Sequence, residues 1–169
     1  MGLHYWEDLP VGTVLVGNEV VADRDEMVEY AIKNDPLPFH ISEEAAAKSH
    51  FGGLVASGGY TISLWYRSAI PIIGAIALRA GYDFKMALPT PVRPGDKLQI
   101  RQEITEQLPS SKPGQGHVIS RQALTNQDEL DALVVEVRWL VATFDCAHVF
   151  LYLRQAARRL STMSSCAFE

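Results

Sequence analysis

One long, mostly apolar segment before a run of strand-like sequence constrains the fold most. Ser57 can cap a helix that begins at Gly58, and Gly81 is expected to end that helix. Four apolar side chains would share one face of it: Ile62, Trp65, Ala69 and Ile73. Because the opposite face is hardly more polar, the pattern predicts a helix that is buried nearly all round. Pro71 is expected to kink or split this helix, since a proline in a helix interior costs roughly 3 kcal/mol.

Strand signals surround this helix, with one before it and four after it. The expected strands are 13–21, 83–87, 97–108, 117–125 and 130–144. Turns rich in Pro, Gly, Asn or Ser separate the last four strands, at 91–96, 109–116 and 126–129. One buried helix followed by a meander of strands predicts an α+β fold, in which an antiparallel sheet wraps around the helix.

Two short helices are expected between the first strand and the long helix. Asp23 can cap the first of them, with Glu26 three residues later completing a capping box, and Asn34 is a suitable end. The second helix is expected from Ser42 to Lys48, with acidic residues in its first turn. These boundaries leave a short connecting segment between the two helices.

Asp35 and His40 lie in that connecting segment, five residues apart, with two prolines between them. Proline fixes its own φ and favours extended backbone in the residue before it, so we expect a rigid extended loop rather than a helix. A carboxylate and an imidazole on a stiff bend can act on one substrate atom, which suits general acid–base catalysis. The alternative is that Asp35 caps a turn and His40 is a satisfied polar residue.

The glycine-rich stretch before the long helix supplies a second element of a possible site. The N–H groups in the first turn of a helix have no acceptor within it, so the amide of Gly58 can stabilise a carbonyl oxygen that gains charge. The glycine pairs 52–53 and 58–59 could instead serve only as turns and close packing positions. Neither a phosphate loop nor a nucleophile elbow fits, because the first needs Lys after Gly58 and the second needs glycine in place of Val55.

Composition and charge narrow the class of protein. The chain has 169 residues and a net charge of −5, which disfavours a nucleic-acid binder. Its two cysteines lack metal-ligand spacing and form no disulfide framework, so a reducing cytoplasm is the expected compartment. We find neither a signal peptide nor an apolar run long enough to span a membrane. The expected organisation is a single domain over 1–144 and a C-terminal extension of uncertain structure over 145–169.

Several stretches of this sequence resemble the MaoC-like dehydratase family, which includes the (R)-specific enoyl-CoA hydratases. The central motif reads Asp-Pro-Leu-Pro-Phe-His-Ile-Ser-Glu-Glu-Ala-Ala over 35–46 and Phe-Gly-Gly-Leu-Val-Ala-Ser-Gly over 51–58. Residues 5–12 are similar to the N-terminal entry of these proteins, and 91–96 to the turn that links two of their strands. The resemblance covers about residues 4–143.

This resemblance implies a hot-dog fold, usually assembled as a dimer or higher oligomer, and a reaction. Asp35 and His40 would hold and activate a water molecule that adds to a trans-2-enoyl thioester, giving a 3-hydroxyacyl thioester. Gly58 matches the glycine whose amide binds the thioester oxygen, and Ser57 beside it is a second substrate-binding position. The substrate would be an acyl-CoA or acyl-carrier-protein thioester. No metal or separate cofactor is expected, since CoA is part of the substrate.

Two positions depart from the best-studied hydratases. Leu37 stands where they carry an asparagine, and Ser57 stands where some members have histidine. Leu37 favours one alternative function, a non-catalytic acyl-CoA-binding protein that keeps the fold. A hot-dog thioesterase, in which Asp35 activates water against the carbonyl carbon, is the less favoured alternative.

Overall fold

Five antiparallel strands form one sheet in the computed structural model, which describes residues 3–144. The strands are β1 (Val14–Val21), β2 (Leu78–Ala87), β3 (Lys97–Pro109), β4 (Gln115–Thr125) and β5 (Asp131–Ala142). Their order across the sheet is β1-β3-β4-β5-β2. Every second residue of β3 from Leu98 to Ile104 is buried, because successive side chains of a strand point to opposite faces. One face of the sheet therefore lines the hydrophobic core.

Helices cover that buried face. They are α1 (Arg24–Asn34), α2 (Pro38–Ile41), α3 (Glu43–Ala47) and α4 (Gly58–Ala75), and a 3₁₀ turn spans Trp6–Asp8. Leu64 and Trp65 of α4 are completely buried in the core against the sheet. The predicted α+β architecture, one long helix packed on an antiparallel sheet, is present over the described residues.

The end of α4 differs from the expectation based on Gly81. The helix stops at Ala75, and β2 begins at Leu78 rather than at residue 83. Gly81 lies inside β2, where a Cβ atom would come within 2.5 Å of the Trp139 ring. This glycine is therefore required for close packing between neighbouring strands. From the sequence alone, the same glycine is interpreted as the end of α4.

Pro71 does not split α4, which is continuous from Gly58 to Ala75. The proline lies on the exposed side of the helix, while Ser68, Ala69 and Ile72 around it are buried. Burial of an apolar side chain contributes roughly 1.5–3 kcal/mol, so packing along the other side offsets the proline.

The expectation that α4 is buried nearly all round is wrong for the single chain. Tyr66 is 48% exposed and Ile70 is 64% exposed, both on the side away from the sheet. The sheet reaches only one side of the helix, so an apolar strip of α4 stays open to solvent.

The segment from Asp35 to His40 is only partly extended. Leu37 is extended, with φ −73° and ψ 143°, but Pro38 opens the short helix α2, and His40 lies in that helix. Proline is favoured at the first position of a helix, where its missing N–H would have had no acceptor. The expectation of a loop throughout is therefore corrected: the bend is a tight three-residue turn, closed by the Leu37 N–H and the Asp35 carbonyl, followed by one helical turn.

A carboxylate joins α1 to α4 near the start of the long helix. Asp23 caps α1 by accepting hydrogen bonds from the N–H groups of Asp25 and Glu26, as predicted. The carboxylate of Glu26 does not return to Asp23; it accepts the Tyr60 hydroxyl at 3.0 Å and the Arg67 guanidinium at 2.7 Å. Burial, and then the hydrogen bond to Glu26, raise the pKa of Tyr60 to about 12. This contact fixes the helix that precedes Asp35.

A serine hydroxyl joins α4 to β1 and β3. Ser68, fully buried, donates to the carbonyl of Asn18 and accepts the Ile100 N–H at 2.9 Å. The register between β1 and β3 shifts at this point, so the hydroxyl replaces a missing rung of the ladder. Gly17 makes the approach possible, since a Cβ there would lie 2.1 Å from the Ser68 carbonyl oxygen.

The predicted N-caps of α3 and α4 are confirmed. Ser42 and Ser57 cap α3 and α4 through their hydroxyls. Between residues 3 and 144, no helix has the length and apolar character needed to cross a membrane. The proposed C-terminal extension, 145–169, lies outside the described residues.

Candidate active site

Asp35 and His40 face each other across the bend between α1 and α2. Asp35 is the C-cap of α1, and its N–H donates to the Ala31 carbonyl at 2.8 Å. His40 Nε2 lies 3.6 Å from Asp35 Oδ2. The histidine side chain is 9% exposed and that of the aspartate 41% exposed. The two groups therefore form a site with a buried ring and a carboxylate that solvent can reach.

A backbone carbonyl sets the tautomer of the histidine. His40 Nδ1 is 2.8 Å from the carbonyl oxygen of Val55. Because a carbonyl oxygen only accepts, Nδ1 carries the proton and donates it to Val55. In the neutral ring, Nε2 then presents a lone pair toward Asp35.

The gap between Nε2 and Oδ2 suits a small bridging molecule. At 3.6 Å the two atoms are too far apart for a direct hydrogen bond. With an ionised carboxylate and a neutral ring, both atoms are acceptors. A water molecule or a substrate hydroxyl can donate to both, and this geometry can remove a proton from the bridging oxygen.

The start of α4 follows this pair later in the chain, after α3 and a glycine-rich loop. Ser57 is completely buried, and its hydroxyl accepts the N–H of Tyr60, so its side chain is engaged in capping. Gly58 is the first residue of the helix, where an N–H group has no intrahelical acceptor. Among the described residues, a Cβ on Gly58 would meet only Leu88, at 4.0 Å, so those residues leave space at this position.

Leu37 contributes its backbone to the bend and leaves its side chain at the surface. Its N–H donates to the Asp35 carbonyl at 2.8 Å, and its own carbonyl accepts the N–H of His40 at 2.9 Å. The side chain is 45% exposed. Leu37, which departs from the best-studied hydratases, thus presents an apolar side chain to solvent.

Sequence reasoning missed two participants in this arrangement. The Val55 carbonyl fixes the histidine ring, but a backbone acceptor leaves no signal in residue identity. Leu88 lies 4.0 Å from the Cβ position of Gly58, although it comes thirty residues later and outside every motif. Among residues 3–144, no group of three potential metal ligands occurs.

Residues 9–126 match the sequence model of the MaoC like domain, and this stretch contains every predicted site residue. The chain belongs to the MaoC-like family. The resemblance seen in the motifs is thereby confirmed, and the family is one of dehydratases and hydratases.

Individual MaoC-like relatives agree with this assignment. The chain is 32% identical over 111 residues to the 3-hydroxybutyryl-CoA dehydratase of Methylorubrum extorquens, covering 64% of this chain and 68% of that one. It superposes on a MaoC-like dehydratase from Rhodospirillum rubrum with a TM-score of 0.77 and 28% identity, over 84% of this chain and 99% of that chain. An R-hydratase from Pseudomonas aeruginosa shares the fold, with a TM-score of 0.61, 20% identity, and 83% and 86% of the two chains covered. The predicted hot-dog fold is confirmed.

Proposed function

We propose that this protein hydrates trans-2-enoyl-CoA thioesters to 3-hydroxyacyl-CoA thioesters and catalyses the reverse dehydration. The observation that carries the proposal is the 3.6 Å gap between His40 Nε2 and Asp35 Oδ2, with Nδ1 of the same ring held by Val55. The related dehydratase from Methylorubrum extorquens supports a short acyl chain, since its name specifies a 3-hydroxybutyryl thioester.

In the hydration direction, the acid–imidazole pair binds water through the water's two hydrogens. The water oxygen bonds to C3 of the substrate while the pair takes one of its protons. The π electrons of the C2–C3 double bond move toward the thioester, whose oxygen becomes negatively charged. The pair then returns the proton to C2, so water is added across the bond and no further reactant is consumed.

In this proposal the Gly58 amide stabilises that negative charge. Its N–H belongs to the positive end of α4, an 18-residue helix. We assign it as the oxyanion donor, because a fixed dipole needs no reorganisation when charge develops. Ser57 supports this role by capping the helix, and its hydroxyl also remains a predicted substrate-binding position.

A homodimer is part of the proposal. Among residues 3–144, β2 lies at one edge of the sheet and pairs with β5 alone. Its Phe84 ring meets the ring of Trp65 in α4, and Trp65 in turn contacts the exposed Tyr66. Phe84 of β2 adds further apolar surface at 41% exposure. A second copy related by a twofold axis would pair with the free edge of β2 and also cover the apolar strip of α4.

Light scattering tests the proposed dimer. It should give twice the chain mass for the wild type, and Ile70→Glu should lower the mass toward that of a monomer. A monomeric wild type would refute the dimer.

Crotonyl-CoA separates the proposed activity from its alternatives. Hydration removes the enoyl absorbance without releasing a thiol, whereas a thioesterase would release free CoA that a thiol reagent detects. Binding of acyl-CoA with neither signal would identify a non-catalytic acyl-binding protein. We expect loss of enoyl absorbance alone, and a series of chain lengths would then define the acyl preference.

A further inference from the structure

We propose that Arg93 is a positioning residue, which holds the 51–57 loop so that Val55 can orient the His40 ring. The catalytic consequence rests on the proposed function, whereas the effect on the ring does not. Arg93 belongs to the turn that links β2 to β3, far in sequence from the acid–imidazole pair. Its charge alone would suggest an ordinary surface arginine, but its contacts point inward to the loop.

The turn that carries Arg93 is itself rigid. The backbone N–H of Arg93 donates to Asp96 Oδ2 at 2.7 Å. Gly95 has φ +85°, a conformation that favours glycine, and its N–H donates to the Ala22 carbonyl at 2.8 Å. Ala22 in turn donates to the Asp96 carbonyl at 2.9 Å. The end of β1 therefore anchors the base from which the guanidinium extends.

The turn contacts the 51–57 loop at two points. Arg93 Nη2 donates to the Phe51 carbonyl at 2.6 Å, and the Val92 carbonyl accepts the Ala56 N–H at 2.9 Å. A Cβ on Gly53 would lie 3.2 Å from Arg93 Nη1, so the guanidinium rests directly against the loop backbone. One contact lies near the start of the loop and the other near its end.

Val55 lies between these two contacts. Its carbonyl accepts the His40 Nδ1 proton at 2.8 Å, and its N–H donates to the Phe39 carbonyl at 3.3 Å. Release of the Phe51 contact frees the first part of the loop, and the Val55 carbonyl can then move away from Nδ1. The neutral ring would lose its fixed tautomer, and Nε2 would no longer present only a lone pair toward Asp35. At metal sites, residues that orient a ligating histidine are worth roughly 10–100-fold in affinity or activity, and we expect a loss of the same order here.

The experiment compares Arg93→Ala and Arg93→Lys with Arg121→Ala on crotonyl-CoA and on the crotonyl thioester of N-acetylcysteamine. Arg121 is a matched control, because its guanidinium pairs with Asp131 on the outer face of the sheet. The truncated thioester carries no phosphate. We expect Arg93→Ala to lower kcat about 10–100-fold on both substrates with little change in KM, Arg93→Lys to lose less, and the control to match wild type. A defect confined to crotonyl-CoA would make Arg93 a phosphate ligand, and a lower Tm with unchanged kcat would make it merely structural; either result overturns the proposal.

Nitrogen-15 NMR of the His40 ring gives a readout that needs no turnover. The wild type should show the Nδ1–H tautomer, and Arg93→Ala should shift the ring toward a mixture with Nε2–H. An unchanged tautomer in folded Arg93→Ala and Arg93→Lys would overturn the proposal. If wild type fails to hydrate any enoyl thioester, the proposed function fails, but this ring measurement still decides the role of Arg93.

Discussion

Replacement of Gly58 by proline would remove one backbone N–H and leave the rest of the site in place. Gly58 is the first residue of α4, the position at which proline best fits a helix. Ser57 before it already has φ −68° and ψ 155°, the extended backbone that a following proline requires. Within residues 3–144 the Cβ position is open, with only Leu88 nearby, at 4.0 Å. The substitution therefore tests the amide donor without breaking the helix.

The expected loss follows from the role of that donor. Removal of one oxyanion-hole hydrogen bond typically costs about 10²–10³ in kcat, or roughly 2.7–4 kcal/mol of transition-state stabilisation. The free energy of unfolding should rise or stay unchanged. Replacement of a residue by proline in a compatible conformation raises the free energy of unfolding by about 0.4–1 kcal/mol, because the unfolded chain loses freedom.

The assay is the decrease of enoyl absorbance with crotonyl-CoA, with thermal unfolding followed in parallel. Gly58→Ala is the control, since it adds a side chain at the same position but keeps the N–H. We expect Gly58→Ala to stay within about tenfold of wild-type kcat and Gly58→Pro to fall by at least about a hundredfold at an unchanged or higher Tm. A folded Gly58→Pro enzyme with near-normal kcat would show that this amide does not bind the thioester oxygen.

Two further predictions concern stability. Ser68→Ala should lower the free energy of unfolding by about 2–4 kcal/mol in urea titrations, because it leaves the Asn18 carbonyl and the Ile100 N–H buried without partners; a loss below about 1 kcal/mol would contradict the bridge. The pKa of Tyr60 is about 12 in the folded protein against 10.0 normally, so above about pH 10 the unfolded chain binds fewer protons than the native one. Stability should therefore fall as pH rises from about 10 to about 12, and the fall should be shallower in Tyr60→Phe; equal slopes would refute the shift.

Local rules predicted much of the fold from the sequence. Capping by Asp23, Ser42 and Ser57 depends on side-chain oxygens and the next few amides, so the sequence alone places those helix starts to within a residue. Alternation along β3 and β5 likewise follows from the strand period of two.

Boundaries set by packing could not be predicted in this way. Gly81 reads as a helix stop, yet it is a strand residue that makes room for Trp139. Pro71 reads as a break, yet the buried side of α4 keeps the helix continuous. The exposure of Ile70 depends on how far the sheet reaches around α4, which no local pattern contains.

The candidate site was likewise predictable from the sequence only in part. The types and spacing of Asp35 and His40 indicate acid–base chemistry, and the structure brings the two side chains to 3.6 Å. The tautomer of the ring depends on the Val55 carbonyl, fifteen residues later, and the sequence does not reveal that contact. Contacts between backbone groups and distant side chains decide the direction in which the reactive nitrogen points.

A double-mutant cycle on the acid–imidazole pair tests most directly whether the two groups act on one water molecule. We expect Asp35→Asn and His40→Ala each to reduce crotonyl-CoA hydration by at least about a hundredfold, the scale of a positioned acid–base group. Groups that act as a unit are strongly non-additive, so the double variant should be about as slow as the slower single variant. Near-normal rates in both single variants, or losses that multiply in the double variant, would contradict a shared water.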